Sequence, residues 1–219
     1  ATMNLSGDNV VSALQDGAEA GTPIALWQLG LMYESGVGVE KDPARAFQYF
    51  SQIANDNADE PPRSRDADIV AQSFVKLGDY YLNGAPDAGI SPDPALSYKY
   101  LYHAAAYFAD ADAQYQLFVA EQALGYPLVH SARWLKRAAD KGHPAAQARL
   151  GALLVSGEEI VAQPVQGLML LMLASNDAVG TPDEAWIREL ADPILHSASG
   201  ADIEAARQAA STYTVIGDE

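Results

Sequence analysis

The chain has no cysteine among its 219 residues, which excludes disulfides, thiol nucleophiles and cysteine-ligated metals. The compartment stays open, because an exported protein can do without disulfides. Positive charge is scarce too: 13 Lys and Arg face 29 Asp and Glu, giving a formal charge of −16 and a pI near 4.4. That field repels phosphate backbones and anionic headgroups, so no nucleic-acid partner is expected. Long apolar runs are missing as well. The longest, Leu168 to Ala174, is far too short to cross a bilayer, so no membrane insertion is expected. The opening "ATMNLSGDNV" has no basic segment leading into an apolar one, and any export signal is expected to be absent from this sequence.

Catalytic patterns are equally sparse. The four histidines, His103, His130, His143 and His196, show no H-x-x-x-H spacing and have no Cys to join them, so no metal site is expected. Glu158 and Glu159 are neighbours on a loop and do not face each other as a catalytic pair would, and no G-x-S-x-G elbow occurs. No catalytic residue and no cofactor is assigned, and the chain reads as a non-enzyme.

What is present is a repeat. "ALWQLGLMYESG" (Ala25 to Gly36), "SFVKLGDYYLNG" (Ser73 to Gly84), "AQYQLFVAEQAL" (Ala113 to Leu124) and "AQARLGALLVSG" (Ala146 to Gly157) follow one pattern. A small residue, a Leu four on and an apolar or aromatic residue eight on share a helical face that is expected to be buried: Ala25, Leu29, Tyr33; Ser73, Leu77, Tyr81; Ala146, Leu150, Leu154. Gly30, Gly78 and Gly151 follow the Leu. Glycine costs about 1 kcal/mol against Ala inside a helix, so close approach of a neighbouring backbone is expected there. Gly36, Gly84 and Gly157 are placed to end these helices as left-handed caps.

A second helix follows each first. Asp42-Pro43 and Asp93-Pro94 are N-cap and first-turn signals, and Ala46, Phe50 and Ile53 form an apolar stripe. A bulky residue recurs in register at Tyr49, Tyr100, Trp134 and Leu170. A hairpin of this size cannot bury its own apolar face, and stacking on neighbours does so. The predicted fold is all-α: a single-domain α-solenoid over 1–219, with repeats at about 22–54, 67–106, 110–141 and 143–175 and capping helices over 182–214. Thr181 is the expected N-cap of the first of these, with Pro182 at its first position. The glycine-rich stretch "GVGVEK" is therefore a turn between helices. A phosphate loop would need a strand before the glycines and Ser or Thr after the Lys, where Asp42 stands.

The segment "LGLMYESGVGVEKDPARAFQYFSQIA" resembles the Sel1-like repeat. Within that family the chain is similar to exported alphaproteobacterial regulators of exopolysaccharide synthesis. This likeness rests on "AFQYFSQI", "DPALSYKYLYHAA", "DADAQYQL", "ARWLKRAADKGH" and "GLMLLMLA" followed by Ala185-Trp186-Ile187. Relative to that group the start of the chain is short, which bears on a further capping helix before Ser6. The resemblance implies a periplasmic protein that binds the sensory domain of an ExoS/ChvG-type histidine kinase and inhibits it until acid or a periplasmic protease removes the inhibitor. The alternative is a Sel1-like scaffold for another envelope protein or peptide. An enzyme acting on cell-wall or carbohydrate substrates would need convergent polar groups that the sequence does not offer.

Candidate surfaces follow from helical phase and charge. Gln28, Met32, Lys76, Asp79, Tyr80, Gln116 and Arg149 lie off the expected buried faces and are candidate partner contacts. Arg133, Lys136, Arg137, Lys141 and Arg149 gather five of the 13 basic residues within 17 positions, either a docking patch or a solvated face paired with acids. The polar insert "NDNADEPPRSRDAD", with Asp59, Glu60, Arg63 and Arg65, is expected to be a mobile, protease-accessible loop. In repeat three Phe118 and Glu121 replace the Gly and the aromatic residue, and Glu121 is expected to reach solvent, since unpaired Glu is almost never buried. His103, His130 and His143 are the candidate pH-responsive groups, since imidazole titrates near pH 6.5.

Overall fold

The repeat pattern becomes eleven helices in the structure, a computed structural model that describes residues 7–213. They are α1 (Gly7–Glu19), α2 (Pro23–Ser35), α3 (Pro43–Asp56), α4 (Ala67–Asn83), α5 (Pro94–Ala106), α6 (Ala111–Ala123), α7 (Leu128–Asp140), α8 (Pro144–Ser156), α9 (Pro164–Asp177), α10 (Glu184–Ser197) and α11 (Gly200–Thr212), with one 3₁₀ turn at Pro86–Ala88. No helix among the described residues is long and apolar enough to cross a membrane. The chain divides within α6 into two compact units, one ending at Gln116 and one beginning at Leu117. Each is a stack of helical hairpins, the architecture of an α-solenoid. The capping helix weighed before Ser6 lies outside the described residues, as does the end of the segment expected to reach 214.

In the first unit α2 pairs with α3 and α4 with α5, and α3 also packs on α4. Helix α1, which the repeat pattern does not reveal, lies against α2, with Val11, Leu14 and Ala18 the better covered side chains of its row. In the second unit α8 packs on α7 and α9, and α10 and α11 cover α9. That cover explains why "GLMLLMLA" is apolar nearly all round: Leu168, Met169, Leu170, Leu171 and Ala174 are all buried.

Starts and stops are local chemistry. Asp42 caps α3 by accepting from the Arg45 N–H at 3.0 Å, and Asp93 caps α5 by accepting from Ala95 and Leu96 at 3.1 and 3.0 Å. Pro43 and Pro94 sit in the first turns, as expected. Gly36 and Gly157 are left-handed caps. Gly84 is not: its φ of 75° and ψ of 162° belong to an extended mirror conformation that essentially only glycine adopts, packed against Pro92. Thr181 does not cap α10. It accepts from the Asp183 N–H within a turn, and the helix begins at Glu184.

One hydrogen bond recurs in all four hairpins. The carbonyl eight residues along the first helix accepts a backbone N–H from the far side of the loop: Asp42 to Tyr33 at 2.8 Å, Asp93 to Tyr81 at 2.7 Å, Tyr126 to Glu121 at 2.9 Å and Gln163 to Leu154 at 2.8 Å. It satisfies a helix-end carbonyl that would otherwise be orphaned and fixes where the second helix starts. Further along that helix a small residue is buried in each case, Ala46, Ser97, Ser131 or Gly167, and at Ser97 and Gly167 it meets the backbone of the first helix at Gly78 and Gly151.

The expected close approach at the Leu-Gly step holds in kind but differs in partner. A Cβ on Gly151 would lie 2.8 Å from the Gly167 carbonyl, a backbone contact. On Gly30 it would meet the buried Phe50 ring at 2.5 Å, and on Gly78 the Leu101 side chain at 2.5 Å. Gly30 and Gly78 thus make room for a side chain rather than for a backbone.

The intrinsic gain of about 1 kcal/mol for replacing helical Gly by Ala is therefore overridden by overpacking costs of about 1–3 kcal/mol. Gly30→Ala and Gly151→Ala should each lower the thermal midpoint, with Gly151→Ala worse because backbone cannot yield. Gly200→Ala, at an open position, should not lower it. Thermal melts of the three variants check this order.

Candidate interaction surfaces

The residues singled out by helical phase separate into two groups. Gln28 and Asp79 are exposed, and Met32 and Gln116 are half-buried. Tyr80 does not lie off the buried face: it is only 8% exposed, edge-on to Phe47 at 5.6 Å, while Tyr81, expected inside, is half-buried. Helix α3 of the preceding hairpin covers Tyr80, information that the phase of α4 alone does not hold. Lys76 is spent inside the unit as well, in an ion pair with Glu34 at 2.6 Å that ties α4 to α2. The Tyr80 hydroxyl donates to the other Glu34 oxygen at 3.4 Å. Burial first, then the Glu34 charge, pushes this phenol above its usual range.

Repeat three holds the largest departure from expectation. Glu121 does not reach solvent but is fully buried. Its place in the pattern is the interior position eight along the first helix, and α7 supplies the partners. The Trp134 indole N–H donates to Oε1 at 3.1 Å, the Arg133 guanidinium stands 3.5 Å away and His130 Nε2 3.7 Å away. The second oxygen, Oε2, is enclosed with no hydrogen-bond partner. Sequence reasoning missed this because the partners of a buried Glu lie on another helix, although a Glu in an otherwise apolar register was itself the signal.

The basic cluster is exposed at Arg133, Lys136, Arg137 and Arg149, yet each of these cations already has local company. Arg133 and Arg137 lie 5.2 and 4.9 Å from the Trp134 ring, Lys136 pairs with Asp140 at 2.6 Å, and Arg149 lies 5.3 Å from the Trp186 ring of α10. The insert is a series of turns rather than an extended loop, closed by backbone bonds from Glu60 to Asn57 and from Ser64 to Pro61. Asp59, Arg63 and Arg65 are exposed and Glu60 is half-buried. His103 holds the insert's start: its Nε2 lies 3.0 Å from the Ala58 carbonyl, while its ring stacks on Tyr107 at 5.2 Å and meets Phe74 at 4.5 Å.

Hydrogen-bond logic distinguishes the three histidines. A carbonyl can only accept, so His103 Nε2 carries a hydrogen whether or not the ring is charged. His130 Nε2 lies between the Arg133 guanidinium at 2.9 Å and the Glu121 carboxylate at 3.7 Å. His143 Nδ1 caps α8 by accepting from the Ala146 N–H at 3.2 Å. No group of three or more potential metal ligands gathers among the described residues.

The Sel1 repeat profile matches residues 23–57, 75–106, 111–143 and 144–176, most of the span of the four hairpins, and the chain belongs to the Sel1 repeat family. It is similar to an exopolysaccharide production negative regulator of Rhizobium leguminosarum bv. viciae, 28% identical over 205 residues, covering 92% of this chain and 74% of the relative. A protein of the same description from Rhizobium meliloti (strain 1021) is 27% identical over 198 residues, covering 89% and 71%. Among solved structures, a Sel1 repeat protein from Oxalobacter formigenes superposes with a TM-score of 0.68 at 21% identity, covering 94% of this chain and 79% of that one. This last likeness bears on the fold.

Two outcomes are expected. Glu121→Ala leaves the buried Trp134 N–H unpaired and opens a cavity, costing about 2–4 kcal/mol, while Glu121→Gln keeps an acceptor and costs about 1 kcal/mol; denaturant titration of both variants measures the difference. At His143, amide-exchange protection at Ala146 should fall in His143→Ala, which removes the cap, and be kept in His143→Asp, which restores an acceptor.

Proposed function

We propose that this chain is an ExoR-like negative regulator of exopolysaccharide production that works by binding and not by catalysis. In this reading it resides in the periplasm and holds the periplasmic domain of an ExoS/ChvG-type sensor histidine kinase in an inhibited state. Release follows acidification or cleavage by a periplasmic protease. The observation that carries the reading is the alignment of about nine-tenths of the chain with two proteins described as exopolysaccharide production negative regulators. The physical character of the molecule fits a binding role. Its repeats present helical faces and loops, its charge of −16 gives long-range steering toward a basic partner surface, and the exposed cations around Trp134 offer a local counter-charge.

In this reading the acid response falls to the candidate histidines: His143 caps the start of α8, and His130 lies beside Arg133 and Glu121, both in the segment that bears the basic patch. The insert, with Arg63 and Arg65 exposed, is the cleavage site favoured under the proteolytic route.

Calorimetric titration of the chain with the periplasmic domain of a cognate kinase should give a dissociation constant that rises several-fold between about pH 7 and about pH 5. A constant that does not change assigns the acid response to proteolysis, and no binding at either pH removes the kinase from the proposal.

A further inference from the structure

The long insert after α3 builds one wall of a cleft. Asn55 and Ala54 at the end of α3, Ala58 from the insert, Phe74 of α4 and Lys99, Tyr100, Tyr102 and His103 of α5 line an open cleft of about 440 Å³. That volume and lining, mainly aromatic and aliphatic with few polar groups, are those of a ligand site. A larger cleft of about 570 Å³ near Arg45 lacks this character: it is lined by Gln15, Glu19 and Gln52, and its cation is already bound to Tyr33 and Asp42.

The walls are held before anything binds. Tyr100 stacks on Tyr81 at 5.7 Å with planes 3° apart, and Tyr102 on Tyr98 at 5.8 Å. His103 is fixed by Phe74 at 4.5 Å and by the Ala58 carbonyl at 3.0 Å, so the same bond that pins the insert also sets the width of the cleft. Rings locked in place lose little entropy on binding. The small side chains of Ala54 and Ala58 leave the space that a ring would fill. Tyr102, also in the lining, remains 45% exposed. Lys99 is exposed and has no carboxylate partner among the described residues, on a chain where acids outnumber bases 29 to 13. An ammonium left uncompensated in so acidic a molecule, beside an aromatic cleft, fits an anion joined to an apolar group.

We propose that this cleft receives an aromatic residue of a partner protein whose sequence neighbour is acidic: the ring enters between Phe74, Tyr100 and Ala58, and the carboxylate meets Lys99. Buried aromatic anchors in preformed pockets are where interface energy concentrates, and the charge sets the register of the segment. The site rests on the reading of this chain as a binding protein but not on the kinase being its partner.

The test uses the full chain and two blocked peptides, acetyl-Gly-Phe-Asp-Gly-amide and its Asn isostere, titrated while backbone amide shifts are followed. Shifts are expected at Ala54, Phe74, Tyr102 and His103, with the Asp peptide binding about threefold more tightly than the Asn peptide, the scale of one exposed ion pair. Lys99→Glu, an exposed substitution, should abolish that preference, and Ala58→Phe should weaken both peptides by filling the cleft. No shift at these residues up to about 10 mM peptide, equal binding of the two peptides, or full affinity in Ala58→Phe overturns the proposal. Because no kinase domain is present, failure here leaves the regulatory reading standing, and failure of the kinase titration leaves the cleft intact.

Discussion

Everything in this molecule hangs on how a first helix is closed onto a second. The recurring bond from the loop into the carbonyls of Tyr33, Tyr81, Glu121 and Leu154 does this in every hairpin, although the loops differ in length and sequence. It works because a helix end leaves carbonyls without intrahelical partners, and a buried carbonyl without a partner is costly. Once the loop supplies that N–H, the start of the second helix is fixed. A small residue then falls at the crossing, and the two helices close to the separation that Gly30, Gly78 and Gly151 permit. Loop length is free to vary between these fixed points, which is how repeat two accommodates its 3₁₀ turn within one architecture.

That same constraint explains the buried carboxylate. The carbonyl of Glu121 is the one its loop requires, so its side chain occupies the interior position whatever its chemistry. Trp134, in the register that Tyr49, Tyr100 and Leu170 share, brings an indole N–H to within 3.1 Å, and Arg133 brings charge from the rim. The arrangement is incompletely satisfied, since Oε2 has no partner. Buried ionic groups of this kind seldom add net stability against an apolar core, so the group is a place where the fold departs from its own rules.

Much of the fold was legible because its signals are local. Leu at a fixed spacing, Asp-Pro before each second helix in repeats one and two, and Gly after the first helix are each one-dimensional statements about capping and periodicity. What was not legible came from neighbours in space. Tyr80 is covered by α3 rather than by its own hairpin partner; Gly30 faces a ring and Gly151 a carbonyl, though both follow Leu. Gly84 takes φ and ψ that its sequence neighbours do not announce. Helix α1 was overlooked for a different reason: it belongs to no repeat, and its row of Val11, Leu14 and Ala18 is the sole cue. For the binding surfaces the sequence gives exposure but not engagement. Lys76 and Arg149 have the composition of contact residues and are instead occupied with Glu34 and Trp186.

That occupation extends beyond these two residues, and it shapes recognition. The chain places five of its 13 cations where they hold the structure: Arg45 on Tyr33 and Asp42, Lys76 between two hairpins, Arg133 and Arg137 about Trp134, and Arg149 on the capping helix. The outward field is left to the acids, and it acts on any partner at a distance of about one Debye length, near 8 Å in physiological salt. Such a field brings partners of the right sign together but cannot orient them, because it varies smoothly across the surface. Orientation has to come from short-range features: an apolar recess, a fixed ring, a single uncompensated charge. In the first unit those features coincide where the insert folds back on α5. The insert interrupts the repeat pattern, and the interruption creates a kind of surface that the regular helical hairpins do not provide.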